Sequence, residues 1–222
     1  MTDTTEHQRA TNLRAALAVT DASRRLQAAL TAGTHPDPAW IDVLVDRCAV
    51  EPDFFVRDML TWALVRQDRA QTLDALVPQL QSDVAQARSQ ALHTLSKIAD
   101  PATWPAITPA LLADPDDEVA AAAWRAAAGL VPAGSEAALA ASLTAQFGRG
   151  DAETQRRLSR ALAALGDPAR ASVERAARSS DEAISAHALA TVALIDDPDE
   201  SFESAVHEAK RAVALRAAPS AE

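Results

Sequence analysis

The chain has 222 residues, of which 48% are hydrophobic, and its 31 acidic and 21 basic residues give a net charge of -10. That charge argues against a general nucleic-acid binder or a protein of anionic membrane surfaces, since both are usually basic. The single cysteine excludes an internal disulfide, and no apolar run reaches the length of a membrane-spanning helix. The polar N-terminus lacks the apolar core of a signal peptide, so we expect a soluble cytoplasmic protein.

Alanine dominates the composition, with 54 residues, whereas glycine contributes 6 and tyrosine none. Alanine is the best helix former, and the β-branched and aromatic residues that favour strands are scarce. The composition therefore predicts an all-α protein.

A pattern of apolar or small residues at relative positions 0, +4, +7 and +8 recurs along the chain at intervals of 30 to 35 residues. These positions form one stripe on a helix, and the interval suits a unit of two helices and two turns. The pattern starts at six residues, which we call anchors: Ala22, Val56, Ala87, Val119, Thr154 and Ile184.

Aspartates and prolines mark where the helices of each pair begin. The aspartates predicted to cap the second helices are Asp53, Asp83, Asp116, Asp151 and Asp181. Asp-Pro pairs at 37–38, 100–101, 167–168 and 197–198 are predicted to open first helices. The predicted second helices span 21–32, 53–66, 84–98, 116–130, 151–165 and 181–195. The predicted first helices span 6–19, 38–50, 69–81, 101–113, 135–147 and 168–178, and a capping helix spans 199–217. We expect one repeat domain over residues 9–217, with disorder over 1–8 and 218–222.

The sequence VRDMLTWAL at Val56–Leu64 follows an acidic turn and resembles the HEAT-like repeat family, including the short variety of the phycobilisome lyases. The stretches Glu51–Leu64 and Ala87–Thr108 also resemble stand-alone bacterial HEAT-repeat proteins. This resemblance implies an α-solenoid of about six HEAT-like helix pairs with a C-terminal capping helix. It also implies that the second helix of each pair lines a concave side. Some MerR-type regulators carry similar repeats, but the winged-helix part of those regulators is missing here, so no DNA-reading role follows.

Motifs for catalysis are missing from the sequence. It contains no phosphate-binding loop, dinucleotide fingerprint or serine-hydrolase elbow, and its five histidines have no metal-ligand spacing. We therefore predict no catalytic residue, metal or cofactor. Cys48 continues a helical apolar pattern and is interpreted as a core residue. The acidic run Asp114–Glu118 is interpreted as a solvated turn, because it lacks the glycine and distal glutamate of a calcium loop.

Basic residues concentrate on the predicted second helices. Windows of eleven residues that start at the six anchors hold ten basic residues and a single acid, Asp58. The preference of acids for helix starts explains part of this, but Arg57, Arg88 and Arg156 themselves lie near helix starts. Two tryptophans stand at +5 and +6, outside the stripe, whereas Trp40 and Trp104 are predicted to be buried between repeats. The predicted binding strip comprises Arg57, Asp58, Trp62, Arg88, His93, Trp124, Arg125, Arg156 and Arg160.

This strip predicts a non-enzymatic protein–protein interaction scaffold that binds an acidic partner segment by bidentate arginine contacts and aromatic stacking. The alternative is a DNA glycosylase for alkylated bases, in which Asp58 beside Trp62 would act on the base. The acidic net charge and the lack of a second acid on the strip disfavour that alternative. A bilin lyase activity is suggested only by the name of the repeat family. The identity of the partner and the oligomeric state stay open.

Overall fold

The fold is known from a computed structural model that describes residues 2–197, 199 and 201–217. The regular structure of these residues is helical, and none of them forms a strand. The predicted all-α fold class is therefore confirmed. Within the same residues, no helix has the length and apolar character needed to cross a membrane.

The α-helices follow one another as six pairs and a final helix. In chain order they are α1 Thr2–Leu17, α2 Ala22–Thr34, α3 Ile41–Cys48, α4 Phe54–Val65, α5 Arg69–Leu76, α6 Ala85–Ile98, α7 Pro109–Leu112, α8 Asp117–Leu130, α9 Glu136–Thr144, α10 Ala152–Leu165, α11 Asp167–Ala176, α12 Glu182–Asp196 and α13 Phe202–Ala217. The even-numbered helices α2 to α12 are the second helices of the pairs. Short 3-10 segments complete three of the first helices: Pro38–Trp40, Val77–Gln81 and Pro101–Ala106.

The second helices agree with prediction to within two residues at either end, whereas the first helices after α1 are shorter or partly 3-10. Helix α1 begins at Thr2, so residues 2–8 are helical where the sequence predicts disorder. The predicted disordered tail, 218–222, lies outside the described residues.

The predicted aspartate caps are present at four of the five second helices. Backbone N–H groups at the starts of α4, α8, α10 and α12 donate to Asp53, Asp116, Asp151 and Asp181. The prediction for Asp83 is wrong, because α6 is capped at Val84, whose N–H donates to Ser82 Oγ. The prediction for Asp167 is also wrong, because this residue already belongs to α11 and Gly166 precedes it as the cap.

The contacts divide the chain into two compact units, Met1–Ala106 and Ile107–Glu222, where the sequence predicts one repeat domain over 9–217. In the first unit α2 packs on α4, and α4 packs on α6. Leucines of α3, α4 and α6 are fully buried, among them Leu44, Leu60, Leu64, Leu92 and Leu95. The predicted stripe thus forms the core of this unit.

A buried carboxylate ties the first two helix pairs together. Glu51 is fully buried in the turn before α4, and it accepts two hydrogen bonds from Arg25, at 2.8 and 2.7 Å. Arg47 donates to the same carboxylate at 2.8 and 2.6 Å, and the Asp53 N–H donates at 3.0 Å. Burial alone would raise the pKa of Glu51, but these hydrogen bonds lower it from 4.5 to about 2. The carboxylate therefore stays charged.

In the second unit, α8 packs on α10, α10 on α12, and α12 on α13. Phe202, Ala205 and Ala209 of α13 bury one face against α12, while the opposite face of α13 is exposed and charged. The predicted capping role of the last helix is confirmed by this arrangement. A helix that ends an array needs one apolar face for the stack and one polar face for water.

A buried imidazole lies between the turn after α9 and the packed helices α10 and α12. His187 is 2% exposed, and its Nδ1 accepts a hydrogen bond from the Gly148 N–H at 3.1 Å. Its Nε2 lies 3.0 Å from both Gln155 O and Ser159 Oγ, so this nitrogen carries the proton. Burial lowers the pKa of His187 from 6.5 to about 4, although the hydrogen bond to Gln155 acts in the opposite direction. The folded chain therefore contains His187 as a neutral imidazole at neutral pH.

We expect the second unit to lose stability as the pH falls from 6.5 to 4. In the unfolded chain His187 becomes protonated near pH 6.5, whereas in the folded chain it becomes protonated only near pH 4. Between these values the unfolded chain binds the proton more tightly, so acid favours unfolding. Below pH 4 the free energy of unfolding is about 3 kcal/mol lower than it is above pH 6.5. Urea unfolding at pH 7 and pH 4.5 measures it. His187→Gln should flatten the pH dependence, and the exposed His207→Gln should not. An unchanged slope in His187→Gln contradicts the prediction.

Candidate protein-binding surface

The residues at position +6 of the second helices are the most exposed part of the predicted strip. Trp62, Arg125 and Arg160 are exposed, and His93 is half-buried. Residues at +5 behave differently. Four of them are buried: Thr61, Leu92, Trp124 and Ser159. Position +5 lies about 60° from the apolar position +8 on a helix of 3.6 residues per turn, so it stays on the flank of the core stripe.

Trp124 is therefore a core residue, and its prediction as a binding residue is wrong. Its side chain is fully buried, and its Nε1–H donates to Leu112 O at 2.8 Å. The Arg149 guanidinium lies 5.9 Å from its ring centre. This tryptophan joins α8 to α7 and offers no surface to a partner.

Helix α4 presents an exposed apolar row in the first unit. We call this row the α4 face and define it by Phe54, Phe55, Asp58, Trp62 and Val65, all of which are exposed. Phe55 is 72% exposed and Phe54 is 65% exposed, and their rings meet edge to face at 5.6 Å. At 100° per residue the five side chains fall within an arc of about 100°. Large apolar side chains that stay in water on one helix face are typical of interaction sites.

Trp62 is fixed in place by close packing on α2. A Cβ atom at Gly33 would lie 2.1 Å from Trp62 Cζ3, so only glycine leaves room for the indole. The Arg66 guanidinium lies 5.7 Å from the Trp62 ring, and Arg66 Nε donates to Gly33 O at 3.4 Å. The ring is thus held on one side and exposed on the other, with 37% of the residue accessible.

Arg57 holds the turn that precedes the α4 face. Its Nη1 donates to Glu51 O at 2.9 Å and to Pro52 O at 2.8 Å. Gln86 Nε2 of α6 donates to Glu51 O as well, at 2.9 Å. Phe54 lies beside this assembly, with its ring centre 6.0 Å from the Arg57 guanidinium. The exposed phenylalanines therefore stand on a turn whose backbone is already ordered, which lowers the entropy lost on binding.

Two more arginines make the same contact: Arg88, which belongs to the predicted binding strip, and Arg25, which does not. Arg25 Nη1 donates to Val19 O and Thr20 O, and Arg88 Nη1 donates to Ser82 O. In each case the acceptor lies five or six residues earlier, in the turn before the second helix. The role of Arg57 and Arg88 in this structure is to order a turn. In the structure the first repeat is aligned better from Arg25 than from Ala22, because the buried residues of α2 stand at 25, 29, 32 and 33, which are then positions 0, +4, +7 and +8.

The arginines of α10 are paired with nearby acids. Arg157 Nη1 lies 2.8 Å from both Glu118 carboxylate oxygens, and its Nε lies 3.0 Å from Glu153 Oε1. Arg156 also pairs with Glu153 and lies 3.9 Å from Glu203. On the neighbouring helix α8, partial burial and the charge of Arg157 lower the pKa of Arg125 below its ordinary value. Much of the basic excess on this helix is thus balanced by acids at helix starts.

The remaining predicted residues show no catalytic arrangement. Cys48 is buried, as predicted, and burial raises the pKa of its thiol to about 12, so the thiolate is suppressed. A cavity of about 10 Å³ beside it is lined by Val45, Leu76 and Thr94, which is room for one water molecule. In the described part of the chain no three His, Cys, Asp or Glu side chains could hold a metal ion. Trp40 and Trp104 are half-buried where burial is predicted.

Sequence reasoning missed Phe54 and Phe55. They lie directly before the anchor Val56, and our windows for surface residues began at the anchor. A usable signal was present, because two adjacent aromatic residues at the first turn of an amphipathic helix cannot both face the core. Val50 and Val84 are exposed in the turns before α4 and α6, and they were not predicted as surface residues for the same reason.

The comparisons with known proteins agree with this architecture. A family model described as HEAT repeats matches residues 56–128, which include most of α4, all of α6 and most of α8. Residues 56–128 therefore belong to the HEAT repeats. The matched residues make up about a third of the chain and contain three of the five residues of the α4 face: Asp58, Trp62 and Val65. No curated protein matches the sequence.

Three solved structures are similar to this chain over most of its length. An engineered protein is 20% identical, with a TM-score of 0.47, and the match covers 92% of this chain and 96% of that one. Human deoxyhypusine hydroxylase is 17% identical, with a TM-score of 0.46 and coverage of 96% and 97%. The CpcE–CpcF complex of phycocyanin lyase from Nostoc sp. PCC7120 is 18% identical, with a TM-score of 0.37 and coverage of 90% and 93%. We transfer no activity at these identities.

Proposed function

We propose that this chain is a non-enzymatic interaction scaffold that binds a partner protein on the exposed side of its second helices. The observation that carries the proposal is the α4 face, an exposed aromatic row on a helix whose position and preceding turn are fixed. Interfaces take most of their binding energy from a few Trp, Tyr, Phe and Arg side chains at the centre of the contact.

The predicted acidic partner segment is retained as a proposal for the second unit. Arg125 of α8 and Arg160 of α10 are exposed, and these two helices pack on each other. Arginines at equivalent positions of packed helices can bind a carboxylate-rich segment through bidentate hydrogen bonds. Arg156 contributes less, because it already pairs with acids of its own unit.

The glycosylase alternative gains no support from the geometry. It needs a basic surface around Asp58 and Trp62, but the guanidinium groups of Arg57 and Arg88 are engaged with turn carbonyls. A base-excising enzyme also needs room to stack a flipped base, whereas one side of the Trp62 ring is covered by α2.

A photo-crosslinking experiment tests the interaction proposal. A photoreactive amino acid replaces Phe55 on the α4 face, Arg160 in the second unit, or the exposed Gln71 of α5 as a control. We expect one defined protein adduct from position 55 or 160 in the native cell, and none from position 71. The identified partner is then titrated against variants. Phe55→Ser or Arg125→Glu should cost about 2 kcal/mol of binding, whereas Arg178→Glu in the turn after α11 should cost little.

The same experiment can contradict the proposal in two ways. Identical adducts from position 71 and from the other two positions would show that no surface is selective. A partner whose binding is weakened equally by Arg178→Glu and by the surface variants would place the interface away from the second helices.

A further inference from the structure

Asp58 occupies the middle of the α4 face. It lies four residues after Phe54 and four residues before Trp62, so its carboxylate is flanked by aromatic side chains on both sides. It is exposed, and its side chain makes no hydrogen bond or ion pair within the residues that the structure describes. Any partner that covers the apolar row must also cover this charge.

The two ends of the α4 face carry the opposite charge. Arg57 lies beside Phe54 at the start of the helix, and Arg66 lies beside Trp62 at its end, at 6.0 and 5.7 Å from the respective ring centres. The charge order along α4 is therefore positive, negative, positive. Complementary potentials select partners and fix their register, because a like charge in the wrong place costs several kcal/mol.

A second copy of the chain fits this surface poorly. If two α4 faces packed antiparallel around a two-fold axis, each Phe54 would approach the partner's Trp62, and the two Asp58 carboxylates would meet at the axis. Burying like charges together is strongly unfavourable, and nothing else on the α4 face would neutralise them. The central carboxylate thus favours a different molecule that brings a cation.

We propose that the α4 face, with Asp58 between its aromatic residues, binds an amphipathic helix whose apolar side carries one arginine or lysine opposite Asp58 and acids toward its ends. This proposal rests on the proposed function and adds the chemistry of the partner. From Phe54 to Val65 the face is about 16 Å long, which matches about three turns of a partner helix. Arginine suits the central position best, because its planar guanidinium binds a carboxylate through two hydrogen bonds and also stacks on aromatic rings.

A selection from a displayed peptide library tests the proposal. The library encodes helix-forming peptides of about 14 residues with random side chains along one face, and it is sorted on the full chain and on three variants. Asp58→Arg reverses the central charge, Phe55→Ser removes an aromatic residue, and Asp74→Arg is a matched charge reversal on the exposed side of α5. We expect the wild-type chain and Asp74→Arg to select peptides with a central Arg or Lys between apolar residues. Asp58→Arg should select Asp or Glu at that position and bind the original peptides at least about tenfold more weakly.

The possible results separate this inference from the function on which it rests. Peptides that depend on Phe55 but have no central cation would overturn the charge pairing and leave the α4 face as an interface. Recovery of peptides that ignore both Asp58 and Phe55, or of none at all, would overturn both proposals for this surface. A concentration-dependent dimer of the wild-type chain that Asp58→Arg or Phe55→Ser disrupts would show that a second copy is the occupant, which also overturns the inference.

Discussion

Replacing Glu51 with alanine is expected to destabilise the first unit by about 4 kcal/mol. The substitution removes the carboxylate that accepts hydrogen bonds from Arg25 and Arg47, and Arg25 is only 5% exposed. A guanidinium left in that position loses its counter-charge but cannot regain water, and this uncompensated burial dominates the cost. Urea unfolding followed by far-ultraviolet circular dichroism measures the effect as a shift of the first unit's transition.

The matched control is Asp74→Ala, which removes an exposed carboxylate from the same unit. Its effect should stay within about 0.5 kcal/mol. The contribution of Glu51 to the stability of the first unit also depends on pH. The unfolded chain protonates Glu51 near its ordinary pKa of 4.5, and the folded chain only near 2, so the stabilisation is complete above pH 4.5 and is lost toward pH 2. Equal effects of the two alanine substitutions would show that the buried ion pairs contribute little.

Trp124→Ala should destabilise the second unit by about 4 kcal/mol, because it leaves a large cavity among fully buried side chains. It also removes the hydrogen bond to Leu112 O that joins α8 to the preceding helix. Trp124→Phe keeps part of the ring volume but loses this bond and leaves a smaller cavity, so its cost should be about 2 kcal/mol. The unfolding midpoints of the two variants check both values.

Trp62→Ala provides the comparison for this prediction. Trp62 is 37% exposed, so its truncation should cost the first unit clearly less stability than Trp124→Ala costs the second. If Trp124→Ala leaves the unfolding transition unchanged and Trp62→Ala abolishes it, the assignment of Trp124 to the core and of Trp62 to the surface is wrong.

The second helices could be predicted from the sequence because two independent signals coincide at their starts. An aspartate cap fixes the first turn, and the stripe at 0, +4, +7 and +8 fixes the buried face. The first helices lack one of these signals. Pro105 and Pro109 remove backbone donors in the fourth pair, and there the first helix is reduced to a 3-10 segment and the four-residue helix α7. The boundary between the two compact units, after Ala106, falls at this point.

The candidate site was harder to predict, because a helical wheel gives the direction of each side chain but not the residues of other helices that it contacts. Positions +5 and +6 both point away from the centre of the stripe. Side chains at +5 are enclosed by neighbouring helices, as Ser159 is when its Oγ lies 2.7 Å from Thr191 Oγ1 of α12, whereas Trp62 at +6 has one side packed on α2 and the other side exposed. This difference explains why Trp124 is fully buried and Trp62 is partly exposed. Side-chain hydrogen bonds to a turn, such as those of Arg57 and Arg88, depend on a backbone path that charge counting cannot reveal.

The burial of Cys48 makes the protein convenient for site-specific labelling. A thiol with a pKa of about 12 in a closed core reacts slowly with maleimides at neutral pH, so the native cysteine needs no replacement. A new cysteine at the exposed Gln71 would take up a fluorophore selectively, away from the α4 face. The anisotropy of that fluorophore would then report the docking of a partner while every residue of the proposed surface stays unchanged.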